Sequence, residues 1–532
     1  MIKIVTVCGM GLGSGHLMRM NVERVLKRHG VKDTAVEVEV ADIGTAQRPG
    51  VDIFVTSAEF APKCRKWAQR LVVVKNVFDE KEMEQALMPI FKELLASKGK
   101  KQQSSIERVF AGVLKAILGF TVMYCGAFVI AGVLSPMGEG VARAFGLQIV
   151  VPVNEAITAL TATRFSAQLI ITTVGAFLVH VILARFTPLH YIFLSGHNIL
   201  FIAAVCVAML VKSGLPNIQV LLYASLISGI LMTVMPAFSM PFMHRATKGA
   251  GFAMGHLATA GYCVAGLIGK WVGSDPEQTD SEKIGFLGNL GLFRELFREP
   301  LLSMGLAIIV ICTLTVIFEL SQGDGTYLNP FESVVWSIMQ GFTFAAGITI
   351  ILLGMRMFVG EMVSAFRSIS DKFVPGAIPA LDCPALFPYG PNSVVIGFFG
   401  YTVGMAFMIV FCLIMRYPLV IVPMLFHSFF MGSTAGVFGN ATGGRRGAFL
   451  GASLHGFLNT SLQAFLFTLI DGSGLNGAMF ADTDYCITGI IIGKLSSFMP
   501  LALLVFAIIL ALATWIEVRI TRPLLAREIK SK

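Results

Sequence analysis

A cysteine heads a glycine-rich loop near the start of the chain. Cys8 follows a β-type run at residues 2–7, and a helical pattern begins at His16. The backbone N–H groups of such loops converge on anions, and the N-terminus of the following helix adds partial positive charge. A thiol in these surroundings is a nucleophile with a lowered pKa, so Cys8 is predicted to carry a phosphoryl group as a thiophosphate ester. The predicted phosphate-binding loop consists of Gly9, Met10, Gly11, Leu12, Gly13, Ser14, Gly15 and His16.

Three alternative interpretations fit this loop less well. A dinucleotide-binding loop has the pattern G-x-G-x-x-G with an acidic residue about 20 positions later, whereas Gly9, Gly11 and Gly13 simply alternate. A cysteine phosphatase needs C-x5-R, and Ser14 stands where the arginine would be. A cysteine that merely ends a buried strand would leave the glycines after it unexplained.

Polar side chains recur within long apolar stretches of the remaining chain. His197, His256 and Asp382 fall at membrane depth, where polar groups are costly and usually serve a pathway or a substrate. Asp382 lies close to Pro379 and Pro384, which predict a broken helix, and its carboxylate is suited to accept a solute hydroxyl and assist its deprotonation. The alternative role for each residue is a helix–helix hydrogen bond. The predicted solute pocket comprises His197, His256, Asp382, Asn154, Glu155 and Asn392.

Composition divides the chain into two parts. It has 532 residues, 55% hydrophobic, with a mean hydropathy of +0.75. Residues 1–103 hold 17 Lys/Arg and 12 Asp/Glu, whereas the remaining 429 residues hold only 24 and 20. This indicates a polar N-terminal domain followed by a membrane domain. The net charge of +9 lies largely at membrane boundaries and requires no nucleic-acid partner.

The nine cysteines show neither CxxC pairs nor metal-ligand spacing, so no metal or other cofactor is predicted.

The N-terminal part alternates strand and helix patterns. Alternation of this kind predicts an α/β domain with a parallel sheet of about four strands. We predict a phosphocysteine domain at residues 1–97, a polar linker at 98–105 and a membrane domain at 106–532. The expected strands are 2–7, 35–40, 52–56 and 71–74, and the expected helices 16–29 and 80–95.

The membrane part is predicted to be all-α, with about ten transmembrane helices. The expected spans lie near 108–134, 166–184, 189–212, 217–241, 301–320, 334–360, 393–414, 417–438, 447–470 and 488–516. Broken or re-entrant helices are expected at 145–160, 248–268 and 373–390, where Gly and Pro interrupt apolar sequence. An even number of spans places both ends on one side, and the basic C-terminal tail makes that side cytoplasmic.

An internal repeat accompanies these breaks. The stretch beginning at Pro152 recurs at Pro379, an offset of 227, and the stretch beginning at Arg185 recurs at Arg416. His197 then corresponds to His427, which fits a structural and a functional role equally well. Inverted repeats with broken helices at equivalent positions are typical of alternating-access transporters.

Several motifs resemble one known family. Val5–Ser14 resembles the IIB component of the ascorbate/galactitol group of bacterial sugar phosphotransferase systems (PTS), and the membrane part resembles the ascorbate-type IIC permease. The matching membrane stretches are 194–199, 249–256, 355–361, 374–383, 391–398 and 436–444.

This resemblance implies a fused IIB–IIC permease of the bacterial inner membrane. It implies a homodimer whose core moves the solute, and a separate IIA protein that phosphorylates Cys8 from a histidine. The solute would be a small polyhydroxylated molecule: an ascorbate-like sugar acid, a pentose or a polyol. The pocket differs from ascorbate-type members, since Asn154-Glu155 replaces a Thr-Tyr pair.

Two other classes of function stay open at this point. The first is an ion-coupled secondary transporter with a regulatory phosphate-binding domain. The second is a membrane receptor that has the permease fold without transport.

Overall fold

The computed structural model describes residues 2–8, 14–31, 36–43, 46–47, 51–77, 79–97, 105–283, 300–321, 330–470 and 477–525. The chain divides into two compact units. The first comprises Met1–Ala111 with Asp382–Pro388, and the second comprises Gly112–Leu381 with Tyr389–Lys532. The predicted linker 98–105 lies almost entirely outside the described residues.

The N-terminal unit contains a four-stranded, all-parallel sheet in the order β2-β1-β3-β4. This confirms the predicted α/β sheet. The structure adds a short helix, α2, which has a proline in its first turn and no preceding periodic pattern. The elements are β1 (Ile2–Cys8), α1 (Ser14–Arg28), β2 (Val36–Asp42), β3 (Ile53–Ser57), α2 (Ala61–Cys64), β4 (Leu71–Val74) and α3 (Glu80–Ser97).

Both faces of this sheet are buried, because successive strand residues point to opposite sides. Ile4 faces α1 and α3 and joins a core that includes Val22 and Leu87. Val5 faces the other side, where Phe54 packs in a second, smaller core. Burying each such side chain stabilises the fold by roughly 1.5–3 kcal/mol relative to exposure.

The rest of the chain is mostly helical, as predicted. Within the described ranges, six helices are long and apolar enough to cross a membrane, and two shorter apolar helices, Gly196–Lys212 and Met304–Leu320, accompany them. The elements are α4 (Ser105–Phe145), β5 (Gln148–Pro152), α5 (Asn154–Phe186), β6 (Tyr191–Phe193), α6 (Gly196–Lys212), α7 (Asn217–Ala246), β7 (Ala253–Met254), α8 (Thr259–Val272), α9 (Pro276–Thr279), α10 (Pro300–Ser321), α11 (Pro330–Phe373), β8 (Ile378–Leu381), α12 (Pro391–Ile414), β9 (Leu419–Ile421), α13 (Leu425–Ile470), β10 (Ala478–Met479), α14 (Thr483–Leu495) and α15 (Met499–Ile516).

Each of the three stretches where Gly and Pro interrupt the apolar sequence contains a short strand: β5, β7 and β8. Together with β6, β9 and β10, these strands form two three-stranded parallel sheets with the orders β10-β5-β9 and β6-β8-β7. Exchanging β5 with β8, β6 with β9 and β7 with β10 converts one order into the other. The central strand of each sheet therefore comes from one half of the chain and its two neighbours from the other half.

Helix α13 runs through two of the predicted spans, 417–438 and 447–470, with a sharp kink between them. Gly443 and Gly444 depart from helical geometry at the kink, and Gly444 has a φ of +58°, a conformation that glycine adopts without steric cost. Gly443 also packs directly against the backbone of Gly269 in α8. The kink thus depends on glycine at both contacting positions.

Candidate functional site

Cys8 is the last residue of β1, and α1 begins at Ser14. The intervening Gly9–Gly13 lies outside the described residues, as do the side chains of Cys8, Ser14 and His16. The loop geometry therefore stays a prediction, but the elements on either side of it are described.

The sheet topology gives this loop a distinctive position. Strand β1 pairs with β2 on one side and with β3 on the other. The chain therefore extends the sheet first to one side of β1 and then to the other, which makes β1 the point where the strand order reverses. In open parallel sheets, ligands bind outside the carboxyl ends of the strands at such a switch point. Cys8 stands at that end of β1, opposite Asp42 of β2.

Two buried threonines hold the backbone on either side of the loop. The Thr6 hydroxyl hydrogen bonds with the carbonyl oxygens of Gly15 at 2.9 Å and Glu39 at 3.1 Å. The Thr56 hydroxyl donates to the carbonyl oxygen of Val7 at 3.0 Å. These contacts were not predicted, because a threonine inside a strand pattern gives no local sign of its partner.

The second cysteine of the N-terminal unit, Cys64, has a different environment. It is fully buried, and burial raises the pKa of its thiol, an effect that a hydrogen bond with Thr56 only partly offsets. Cys64 therefore stays a protonated, unreactive thiol at neutral pH.

The membrane unit brings together a buried polar cluster around Asp482, which we call the Asp482 cluster: Asn154, Glu155, His256, His427 and Asp482. Asp482 is 2% exposed; its carboxylate accepts a hydrogen bond from the Asn154 amide at 2.9 Å and lies 3.7 Å from His256 Nε2. His427 Nε2 lies 3.3 Å from Glu155 Oε2, and the charges of both residues act on Asp482.

Asn154 connects two distant segments of this cluster. Its amide nitrogen donates to Asp482, and its amide oxygen accepts the backbone N–H of Ala481 at 2.7 Å. The first turn of α5 is thereby fixed to the segment that precedes α14. Glu155 is the next residue of the same turn, so its position depends on the same contacts.

Asp484 binds the N-terminus of α8. Its two carboxylate oxygens accept the backbone N–H groups of Thr259 at 2.8 Å and Ala260 at 3.1 Å. These N–H groups have no partner within their own helix, and the helix dipole favours a negative charge there. His256 precedes the same helix, and its Nδ1 lies 3.0 Å from the hydroxyl of Tyr262.

His197 lies beside Asn198 at the start of α6. The Asn198 amide oxygen accepts the backbone N–H of Leu257 at 3.3 Å and the hydroxyl of Tyr485. The Asn198 amide nitrogen contacts His197 Nε2 at 2.9 Å. The loop that holds His256 is thus connected to the segment that holds His197.

The two remaining predicted pocket residues are Asn392 and Asp382. The Asn392 amide nitrogen donates to the carbonyl oxygen of Ser281 at 3.0 Å, and its backbone N–H donates to Glu282 at 3.0 Å. Asp382 belongs to the 382–388 segment of the first unit, where its carboxylate accepts the N–H of Cys383 at 2.9 Å and caps a short 3-10 helix.

Asp482 and Asp484 were not among the predicted residues, although the sequence contains a signal for them. Ala253-Met254 recurs as Ala478-Met479 at an offset of 225, close to the repeat offset of 227. These pairs are β7 and β10, and each is followed within a few residues by a helix. Extending the repeat to this fourth landmark would have indicated the segment of Asp482.

Long apolar helices around a buried polar cluster, together with a separate parallel α/β domain, are the features of a polytopic membrane permease with an attached domain. The family model for the PTS system sugar-specific permease component matches residues 86–484. The chain belongs to this family. A second model, for the lactose/cellobiose-specific IIB subunit of PTS systems, matches residues 3–88.

Named relatives agree with both matches. The ascorbate-specific PTS EIIC component of Mycoplasma pneumoniae is 23% identical over 384 residues, covering 63% of this chain and 57% of that relative. This chain therefore spans little more than half the length of that EIIC component. The ascorbate-specific EIIB component of the same organism is 30% identical over 95 residues, 17% of this chain and 94% of the relative. The corresponding component of Escherichia coli O157:H7 is 27% identical over 93 residues, 17% of this chain and 91% of the relative. The resemblance to a fused IIB–IIC protein is confirmed.

Proposed function

We propose that this protein is a phosphoenolpyruvate-dependent sugar phosphotransferase permease that imports a small polyhydroxylated solute and phosphorylates it through Cys8. One observation carries the proposal: a cysteine at the switch point of a IIB-type sheet shares a chain with a permease unit that buries a polar cluster. The first supplies a phosphoryl carrier and the second an acceptor site.

The chemistry has two balanced steps. The Cys8 thiolate attacks the phosphorus of a phosphohistidine on a separate IIA protein, which forms an S–P bond and breaks the N–P bond. A solute hydroxyl then attacks the same phosphorus, forming an O–P bond and releasing the Cys8 thiolate. We assign the hydroxyl proton to the Asp382 carboxylate as general base. The glycine-rich loop would stabilise the transferring oxygens through its N–H groups.

The remaining assignments follow from this reaction. We propose a IIB domain at 1–97, a linker at 98–105 and a IIC domain at 106–532, in a bacterial inner membrane with both termini cytoplasmic. We propose that the Asp482 cluster, His197 and Asn392 of the membrane unit bind the solute, and we keep Asp382 as the predicted general base. Homodimerisation and about ten spans are part of the same proposal.

The exchange of strands between the two small sheets supports a transport mechanism. Each half of the chain contributes the central strand of one sheet and the flanking strands of the other. We propose that the halves are inverted repeats whose broken helices enclose the solute and expose it alternately to each side.

Replacement of Cys8 tests this proposal. The full chain, reconstituted with a IIA protein and the phosphoenolpyruvate-dependent phosphate donors, should phosphorylate its solute. Cys8→Ser should reduce this activity to background, because serine is not a thiolate at neutral pH. The matched control is Cys64→Ser, which changes a buried thiol of the same unit and should retain activity.

Unchanged uptake by the Cys8→Ser protein would refute phosphoryl coupling and favour an ion-coupled secondary transporter. Solute binding without uptake by the unsubstituted protein would favour a receptor.

A further inference from the structure

The Asp482 cluster contains buried polar atoms that the described residues do not satisfy. Asp482 Oδ1 accepts no hydrogen bond from them, and neither does Glu155 Oε2, whose contact with His427 is an ion pair. His427 Nδ1 is likewise buried with no hydrogen-bond partner among these residues. Buried polar atoms are costly unless a partner is supplied. Since two of these atoms are carboxylate oxygens, the partner that suits them is a hydrogen-bond donor.

The charge of this region is unfavourable to anions. Glu155, Asp482 and Asp484 are three buried carboxylates, and His256 and His427 are the imidazoles that contact or flank them. The groups that can offset these carboxylates are imidazoles, which carry a charge only when they are protonated. Among the side chains that the structure describes, no lysine or arginine is buried. A negatively charged solute would therefore find no permanent positive charge buried beside the carboxylates.

We propose that Asp482 is a specificity-determining residue that selects an uncharged polyhydroxylated solute, such as a pentitol, hexitol or pentose, against a sugar-acid anion. The Asn154 amide nitrogen donates to Asp482 Oδ2, so that Oδ1 is the oxygen that accepts a hydrogen bond from a solute hydroxyl. A second hydroxyl donates to Glu155. A sugar acid brings a carboxylate with no proton to donate and a charge of the same sign. This inference rests on the proposed function, because it takes the Asp482 cluster as part of the solute site.

Matched solutes that differ in charge test the selection directly. Binding to the purified full chain is measured by calorimetry at pH 7.5, without any phosphate donor, for xylitol against xylonate and for galactitol against galactonate. L-Ascorbate is measured alongside as a cyclic anion. The neutral member of a pair should bind at least about tenfold more tightly, since each like charge at close range costs the equivalent of at least one pKa unit. Equal affinity, or tighter binding of ascorbate than of every neutral solute, would overturn the proposal.

A charge-neutralising substitution tests the role of Asp482. Asp482→Asn keeps an oxygen that can accept from Asn154 but replaces the other oxygen with a donor. The ratio of neutral to anionic affinity should fall by about tenfold. The matched control is Glu517→Gln, which neutralises a buried carboxylate outside the cluster that contacts Tyr191. An Asp482→Asn ratio equal to that of this control would refute the assignment.

A second substitution covers the case in which Asp482→Asn does not fold. Glu155→Gln removes the other cluster carboxylate and should lower the ratio of neutral to anionic affinity in the same direction.

Since no phosphate donor is present, these binding results are independent of Cys8. Preferential binding of polyols without their phosphorylation would refute the proposed function alone, whereas preferential phosphorylation of ascorbate would refute this inference alone.

Discussion

The two units differ in how far apart in sequence the residues of each candidate site lie. In the N-terminal unit, Cys8 and the start of α1 at Ser14 are six positions apart and share one loop. In the membrane unit, Asn154 and Asp482 are 328 positions apart and meet only through the fold. A cysteine-headed, glycine-rich loop can therefore be recognised from local sequence, whereas a buried polar cluster that joins distant segments cannot.

The units also use helix N-termini differently. Helix α1 begins directly after the loop that we propose to hold a transferable phosphate. The N-terminus of α8, in contrast, already binds a carboxylate of its own chain, Asp484. The same electrostatic property stabilises a structural contact in the membrane unit and, under our proposal, would stabilise an exchangeable anion in the N-terminal unit.

The largest expected effect tests the long-range contact of the membrane unit. Asn154→Leu leaves the buried Asp482 carboxylate and the Ala481 N–H without their partner, so the free energy of unfolding should fall by about 3–5 kcal/mol. Thermal and denaturant unfolding of the detergent-solubilised chain would measure the loss. Asn392→Leu removes a contact with the Ser281 carbonyl and should cost only about 1 kcal/mol. If both variants lost the same free energy of unfolding, Asn154 would contribute no more to stability than Asn392 does.

The next effect concerns the kink of α13. Gly443→Ala places a methyl group against the backbone of Gly269 and Gly273, which cannot rotate away. Overpacking of this kind should destabilise the membrane unit by about 1–3 kcal/mol, measured as a lower unfolding temperature. Gly132→Ala is the matched control, because nothing lies within 4 Å of its added methyl group. A control that lost as much stability would show that the close glycine contact is not the cause.

A smaller effect is expected in the N-terminal unit. Thr6→Val keeps the shape of the side chain but removes the hydroxyl that hydrogen bonds with the Gly15 and Glu39 carbonyls. The free energy of unfolding of this unit should fall by about 1–2 kcal/mol, and phosphoryl transfer should slow. Thr6→Ser retains the hydroxyl and should retain the transfer rate. If both variants transferred phosphate at the original rate, the contact would have no role in shaping the loop.

The smallest expected effect concerns an exposed hydrogen-bonded pair of the N-terminal unit, His29 and Glu84. A hydrogen bond with His29, at 2.6 Å, holds the pKa of the Glu84 carboxyl below its ordinary value. A lowered carboxyl pKa contributes stability above the pKa of the unfolded chain, about 4.3, and this contribution is lost as pH falls through the lowered folded value. Glu84→Gln should therefore differ from the original chain in unfolding temperature at pH 6 and converge with it below about pH 4. A difference that persisted undiminished in acid would contradict this assignment.

Much of the N-terminal fold could be predicted from sequence. The predicted strands 2–7, 35–40, 52–56 and 71–74 each overlap an observed strand, because alternation and β-branched residues are local properties. Helix α2 was missed, since four residues are too few to show helical periodicity. The threonine contacts were also missed, because their acceptors lie on other segments.

In the membrane unit, hydropathy located the apolar segments but not how they join. The stretches 417–438 and 447–470 have separate apolar patterns, yet both contribute to α13. Similarly, the stretch 488–516 is interrupted by a 3-10 turn at Ser496–Phe498. Hydropathy indicates whether a segment lies in lipid or in water. Whether a helix continues from one segment into the next depends on the backbone geometry at a few residues.

The sequence by itself determined the cysteine-headed loop, the α/β alternation, the apolar character of the second part and the family. Each of these is carried by neighbouring residues, through glycine spacing, side-chain periodicity or hydropathy. Only the tertiary structure decided that Asp482 meets Asn154 and His256, and that the strands of the two halves exchange places. These contacts join segments hundreds of residues apart, and burial makes their polar groups depend on one another without leaving a local pattern in the chain.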